Sequence, residues 1–187
     1  MTQRELIDFL KLVSTMKTNY RHNWTVGERR ESVADHCWRL ALMPMLIEHE
    51  FPDVDINRVI RMCIIHDFGE AITGDIPCFK KTDADKLTEK TAVDTLLLNL
   101  PEDISRDFKA LFEEMEKLQT PEARLYKALD CMEAVISHNE SDIRTWEDRE
   151  YTLQMTHGED KVEWNEWLMK LKEEVNRDTV EKIKEGI

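Results

Sequence analysis

The chain has 187 residues, 41% hydrophobic and 35% charged, and a formal net charge of -13. That is the composition of a soluble globular protein long enough for one domain with a sizeable core. Its acidity argues against a long nucleic acid as partner, because phosphate backbones need basic stripes. Taken in chain order, TQRELIDFLKLV spaces Leu6, Phe9, Leu10 and Val13 as one helix face, with Thr2 as N-cap. NYRHNWTVGERRE breaks the period and reads as a loop. SVADHCWRLALMPMLIEHEF resumes it, with Ser32 as N-cap, Asp35 completing a capping-box variant and Pro44 bending the helix. A loop and then a helix from about Ile56 lead to CIIHDFGEAITGDIP, where a loop around Gly69 to Pro77 ends the helix. Three further amphipathic helices follow, the last with Thr120 as cap and Pro121 in its first turn. A charged terminal helix closes the chain, and no convincing strand is present. The expected fold is all-α: a compact single domain of six or seven helices.

Four ionisable residues stand where the helical pattern predicts core: His36, His66, Asp67 and Asp130. Burying such groups without partners costs several kcal/mol. One shared divalent cation satisfies all of them, and two imidazoles with two carboxylates suit Mn, Co, Fe or Zn better than Ca. His66 and Asp67 lie about 100° apart on a helix, and Glu70 follows on the same side. A lone His36 reads more readily as a satisfied core histidine, and a His-Asp pair alone is weak. The order His, His-Asp, Asp, each on its own apolar helix, is far more specific.

That order resembles the ligand pattern of the HD-domain phosphohydrolases. RESVADHCWRLA, HDFGEAITGDIP and YRHNW are similar to motifs of the 5'-deoxynucleotidase branch, which includes HD-domain-containing protein 2 and bacterial members. The resemblance covers about residues 5 to 140, leaving 141–187 as a helical extension of the single domain. It implies one divalent metal held by His36, His66, Asp67 and Asp130, and a catalytic Glu70. It also implies phosphate orientation by Arg21, an aromatic pocket wall at Trp24, and nucleotide contacts from Asp75, Ile76, Pro77 and Cys78. His22 and Asn23 separate the arginine from the tryptophan, whereas these are adjacent in some bacterial members. Cys78 stands where those members have Thr.

The implied activity is removal of phosphate from (deoxy)nucleoside 5'-monophosphates. The enzyme alternatives are an HD-type phosphodiesterase and an alarmone hydrolase, and the alternative of another class is a binding module with a structural metal. Arg21 offers a planar fork for phosphate; Lys80 and Lys81, just past the loop, could add positive charge there but read more readily as surface lysines. His22, His49 and His157 read as loop or surface, and His138 as carried away from the metal by its helix. Trp146, Trp164 and Trp167 are expected to pack the terminal helices or a dimer surface. A homodimer is expected from the resemblance. Cys37, Cys63, Cys78 and Cys131 form no Cys-x-x-Cys pair, which with the absence of a signal-peptide core or membrane-length apolar run points to the cytoplasm.

Overall fold

A computed structural model describes residues 1–27 and 29–186. In chain order the elements begin with α1 (Gln3–Val13), β1 (Tyr20–Trp24), β2 (Arg30–Ser32), α2 (Val33–Leu46), α3 (Ile56–Ile65) and α4 (Glu70–Thr73). They continue with α5 (Asp83–Leu97), α6 (Glu102–Lys117), α7 (Pro121–Glu140), α8 (Glu150–Thr156), α9 (Glu159–Val162) and α10 (Glu166–Glu185). The protein is all-α apart from one small hairpin. Seven helices run for ten residues or more among the described residues, and α4, α8 and α9 are short.

Local sequence explains where the principal helices begin. Thr2 and Ser32 accept hydrogen bonds from the backbone three residues on, and Glu5 and Asp35 return them, so both capping boxes form. Thr120 caps α7, with Pro121 in the first turn, where its missing N–H costs nothing. Pro44 falls in the last turn of α2, which stops at Leu46. Helices α2, α3 and α7 pack on one another and carry the centre of the core. Leu40, Val59, Met62, Cys63, Leu125, Leu129 and Met132 are all fully buried there. Each large side chain contributes about 1.5–3 kcal/mol by leaving water, so these three helices are the most firmly placed part of the fold.

Three local expectations are corrected. Tyr20–Trp24 and Arg30–Ser32 pair as an antiparallel hairpin, with Tyr20 opposite Ser32 and Trp24 opposite Arg30 and an irregular register between them. Neither strand has a clean apolar alternation, so its pairing with α7 and α2 was not visible in the pattern. Part of the loop expected after His66 winds into α4. The single terminal helix is two: Asn165 accepts from the N–H groups of Trp167 and Leu168 and so starts α10 afresh, a role in which Asn is better than in a helix interior. Trp164 and Trp167 pack against Phe51, 6.3 and 5.9 Å between ring centroids, so they serve the core rather than an outer surface.

Gly158 precedes α9 with φ +73°, and a Cβ there would meet Cys131 Cβ at 2.4 Å and Met132 Cε at 3.0 Å. Left-handed backbone and overpacking together make Gly158→Ala destabilising by about 2–4 kcal/mol, measurable as a lower midpoint in chemical denaturation.

Candidate active site

His36 lies in the second turn of α2, where the Ser32 capping box fixes the helix start. His66 is the C-cap of α3, Asp67 follows it, and Asp130 lies midway along α7. The three helices bring the four side chains to one point. His36 Nε2 is 3.2 Å from His66 Nε2, 3.2 Å from Asp130 Oδ1 and 4.0 Å from Asp67 Oδ2. His66 Nε2 is 3.1 Å from Asp67 Oδ2 and 3.7 Å from Asp130 Oδ1. Donors bound to one ion at 2.0–2.2 Å are separated by about this much. Two like nitrogens facing each other across 3.2 Å are also what a shared cation relieves. The donor set therefore fits a divalent transition metal.

The far sides of the ligands are tied down. His66 Nδ1 donates to the Cys63 carbonyl at 2.9 Å, leaving Nε2 for the centre. His36 Nδ1 pairs with Glu133. Glu133 is fully buried and also accepts from Arg39 Nε at 2.7 Å. Burial would raise its pKa, but His36, Arg21 and Arg39 hold it down to about 2. Carboxylates behind metal-binding imidazoles fix ring orientation and basicity. Glu133→Gln is accordingly expected to weaken metal affinity by roughly 10–100-fold with Asp130 untouched, read by titrating metal against a competing chelator. The sequence pattern does not single out Glu133, although it is a carboxylate three residues past Asp130 on an apolar helix.

One cavity joins this centre to the other expected residues. Asp67, Glu70, Asp130, Arg21, Asp75, Ile76, Pro77 and Cys78 all line it. Gly74, at φ 73°, turns the chain out of α4 and aims Asp75 to Cys78 along the cavity wall. Glu70 is 3% exposed, and its Oε2 has no hydrogen-bond partner among the described residues. Burial, then Asp67 and Asp75, push its carboxyl up to about 9, with Lys81 pulling the other way. Arg21 comes from β1, with Nε 3.4 Å from Glu31 Oε2. Burial works against its charge, but Glu133, Glu31, Asp67 and Asp130 outweigh that.

Several residues depart from expectation. Trp24 does not line this cavity; it borders a separate groove beside Asp142 and Ile143, with the Arg30 guanidinium 5.7 Å from its ring centroid. Lys81, expected at the surface, lines the cavity 3.8 Å from Glu70, whereas Lys80 pairs with Glu147 at the exposed rim. Lys127, not singled out from sequence, lines it too and grips Asp130 Oδ2 at 2.7 Å. His22, His138 and His157 also line it. His138 was expected to point away, but two turns along α7 return it to the same side as Asp130.

The HD domain family matches residues 13–172, and the chain belongs to that family. The human protein 5'-deoxynucleotidase HDDC2 is 35% identical over 141 residues, covering 73% of this chain and 68% of its own length. The fission yeast 5'-deoxynucleotidase hdd1 is 30% identical over 138 residues, covering 70% and 69%. Among solved structures, a predicted metal-dependent phosphohydrolase from Magnetospirillum magnetotacticum MS-1 superposes with a TM-score of 0.78 at 26% identity, over 98% of this chain and 96% of that one. A conserved hypothetical protein from Pyrococcus furiosus gives 0.70 at 29% identity, over 91% and 99%.

Proposed function

We propose that this cavity removes phosphate from 2'-deoxynucleoside 5'-monophosphates in a metal-dependent hydrolysis. The observation that carries the reading is one cavity lined by Asp67 and Asp130 of the four-donor metal set, by a buried Glu70 carboxyl with an unpaired oxygen, and by a largely buried Arg21. The names of the human and fission yeast relatives support the substrate class. A divalent ion held by His36, His66, Asp67 and Asp130 supplies Lewis acidity toward phosphoryl oxygen and water. Mn, Co, Fe and Zn all suit these donors.

The remaining work falls to the chain. Asp67, Asp75 and Asp130 would repel a phosphate dianion, so Arg21, Lys81 and Lys127 offset them along its path. The guanidinium of Arg21 presents paired N–H groups to two phosphate oxygens. Glu70, whose carboxyl in the metal-free protein is pushed up to about 9 by burial and then by Asp67 and Asp75, is placed to give its proton to the leaving 5'-oxygen as general acid. Asp75, Ile76, Pro77 and Cys78 form the wall against which the nucleoside lies. Incubation of the metal-loaded protein with a nucleotide panel is expected to release phosphate from deoxynucleoside 5'-monophosphates. Turnover only of cyclic nucleotides or of guanosine tetraphosphate would instead make it a phosphodiesterase or alarmone hydrolase, and no turnover a binding module.

Residues 141–187 belong with the same domain in this reading: α10 packs along α7, and the family match reaches residue 172. A homodimer is supported by an apolar stripe on α2, where Trp38, Leu42 and Met45 are 69%, 37% and 57% exposed. Light scattering giving a mass near one 22.2 kDa chain would exclude it. No described helix is long and apolar enough to cross a membrane. The described cysteines are free, which suits the reducing cytoplasm.

A further inference from the structure

We infer that His22, His138 and Glu150 form a second transition-metal site in the same cavity, distinct from the HD ligands. His22 comes from β1, His138 from the last turns of α7, and Glu150 opens α8. Glu150 is fully buried. Its Oε1 lies 2.8 Å from His138 Nε2 and its Oε2 3.3 Å from His22 Nε2. One ligand atom from each residue lies within 4.8 Å of the other two.

The decisive feature is the orientation of the His138 ring. Its Nδ1 is 3.2 Å from the Ala134 carbonyl, which only accepts, so Nδ1 carries the proton. With that tautomer the ring faces a carboxylate oxygen with its Nε2 at 2.8 Å, the other oxygen accepting from the Glu147 N–H at 2.6 Å, and an uncharged ring would present a lone pair there. Two acceptors at that distance repel unless a cation or a second proton lies between them. The arrangement repeats that of His66, whose Nδ1 donates to Cys63 while Nε2 faces the HD centre. A backbone carbonyl behind the ring is the usual support of a metal-binding imidazole. Donor separations of 2.8 and 3.3 Å match the 3.1–3.2 Å separations in the HD set.

The rings are also held in place. Phe79 meets His22 edge-on at 5.9 Å between centroids, and Trp146 meets His138 edge-on at 5.8 Å. Trp146 Nε1 donates to the His138 carbonyl at 3.2 Å. Two imidazoles and one carboxylate make a three-ligand set for Zn or Co, with the remaining position open to water or to a donor atom of whatever enters the cavity. His22 and His138 come together only through the hairpin and α8, which sequence spacing does not show.

The site stands independently of the proposed activity, and its test counts metal rather than turnover. Full-length protein stripped with chelator is dialysed against Zn or Co, and the bound metal is counted by elemental analysis. Wild type is expected to bind two equivalents, and D67N to retain one. H22A, H138A and E150Q are expected to keep the HD equivalent while the other weakens by at least roughly tenfold. H22A, a partly exposed ring on the hairpin, avoids the risk that removing buried Glu150 unfolds the chain. A single equivalent in wild type would leave a proton, not a metal, between His138 and Glu150 and would overturn the inference. So would a second equivalent that survives in both H22A and H138A.

Discussion

Asp67→Ala is expected to lose metal and phosphatase activity together, with turnover down by on the order of 10³-fold or more. That is the several kcal/mol a Lewis acid contributes at a reacting phosphoryl group. Asp67 sits beside His66 at 3.1 Å and within 4.0 Å of His36, so its loss removes negative charge from the middle of the donor set. Stability changes with it, since an ion bound only by the native state adds about 2.7 kcal/mol at a hundredfold excess over Kd. For a chain of this size that is about 5–10 °C in Tm. With a chelator present the gap should narrow without changing sign. Metal-free Asp67 still has the His66 imidazole as partner, and its carboxyl stays below the usual range although burial opposes that. Metal analysis, phosphate release and melting with and without chelator check the three parts. Full metal occupancy and full turnover in the variant would reduce the His-Asp pair to an ordinary helix end.

Glu70→Gln should separate catalysis from binding. Metal content is expected to survive, because Glu70 stands outside the four-donor set, while kcat falls by roughly 10²–10⁴-fold with the loss of general acid catalysis. The same variant has a second expected signature. In metal-free wild type the folded Glu70 carboxyl titrates at about 9, against 4.5 when free of its surroundings. Between those values the native state holds more protons than the unfolded one, so stability declines as pH rises through that window. Glutamine at this position removes the dependence. Metal-free Glu70→Gln should therefore gain several degrees in Tm over wild type at pH 8 and lose that advantage near pH 5. Equal pH dependence in both proteins would mean that Glu70 is an ordinary ionised carboxylate. A carboxyl that costs stability and carries turnover is typical of a functional position.

What the sequence made legible follows from where tertiary structure adds information. His36, His66, Asp67 and Asp130 stood out because each interrupts an apolar helix face, and helical period alone says that such a face is buried. Glu70 and Asp75 stood close to that group in sequence. Glu133 carried the same signal as Asp130 but was passed over. The hairpin was missed because YRHNW lacks apolar alternation; what holds it is pairing with β2 and packing on α7. That error misplaced Trp24 and His22 together, since a strand decides which side chains turn inward. Lys81 and Lys127 could not be told from surface lysines until the cavity wall they border was known. The cluster of His22, His138 and Glu150 draws on three separate elements, and no local pattern joins them.

The pairing of His36 with Glu133 spans 97 residues of chain, and this bears on how the protein is made. Synthesis runs from the N-terminus, so α2 and α3 emerge long before α7. Until α7 docks, His36 and His66 have neither Asp130 nor the carboxylate that orients the His36 ring. A nascent chain through α6 thus carries at most a partial ligand set and a weak hold on any ion. Long-range closure is the slow part of folding, and here it coincides with completion of the metal centre. On the proposed ligand assignment, metal capture and the final packing of the core are expected to be one late event, so that the unfinished chain does not sequester ions while its apolar helices are still exposed.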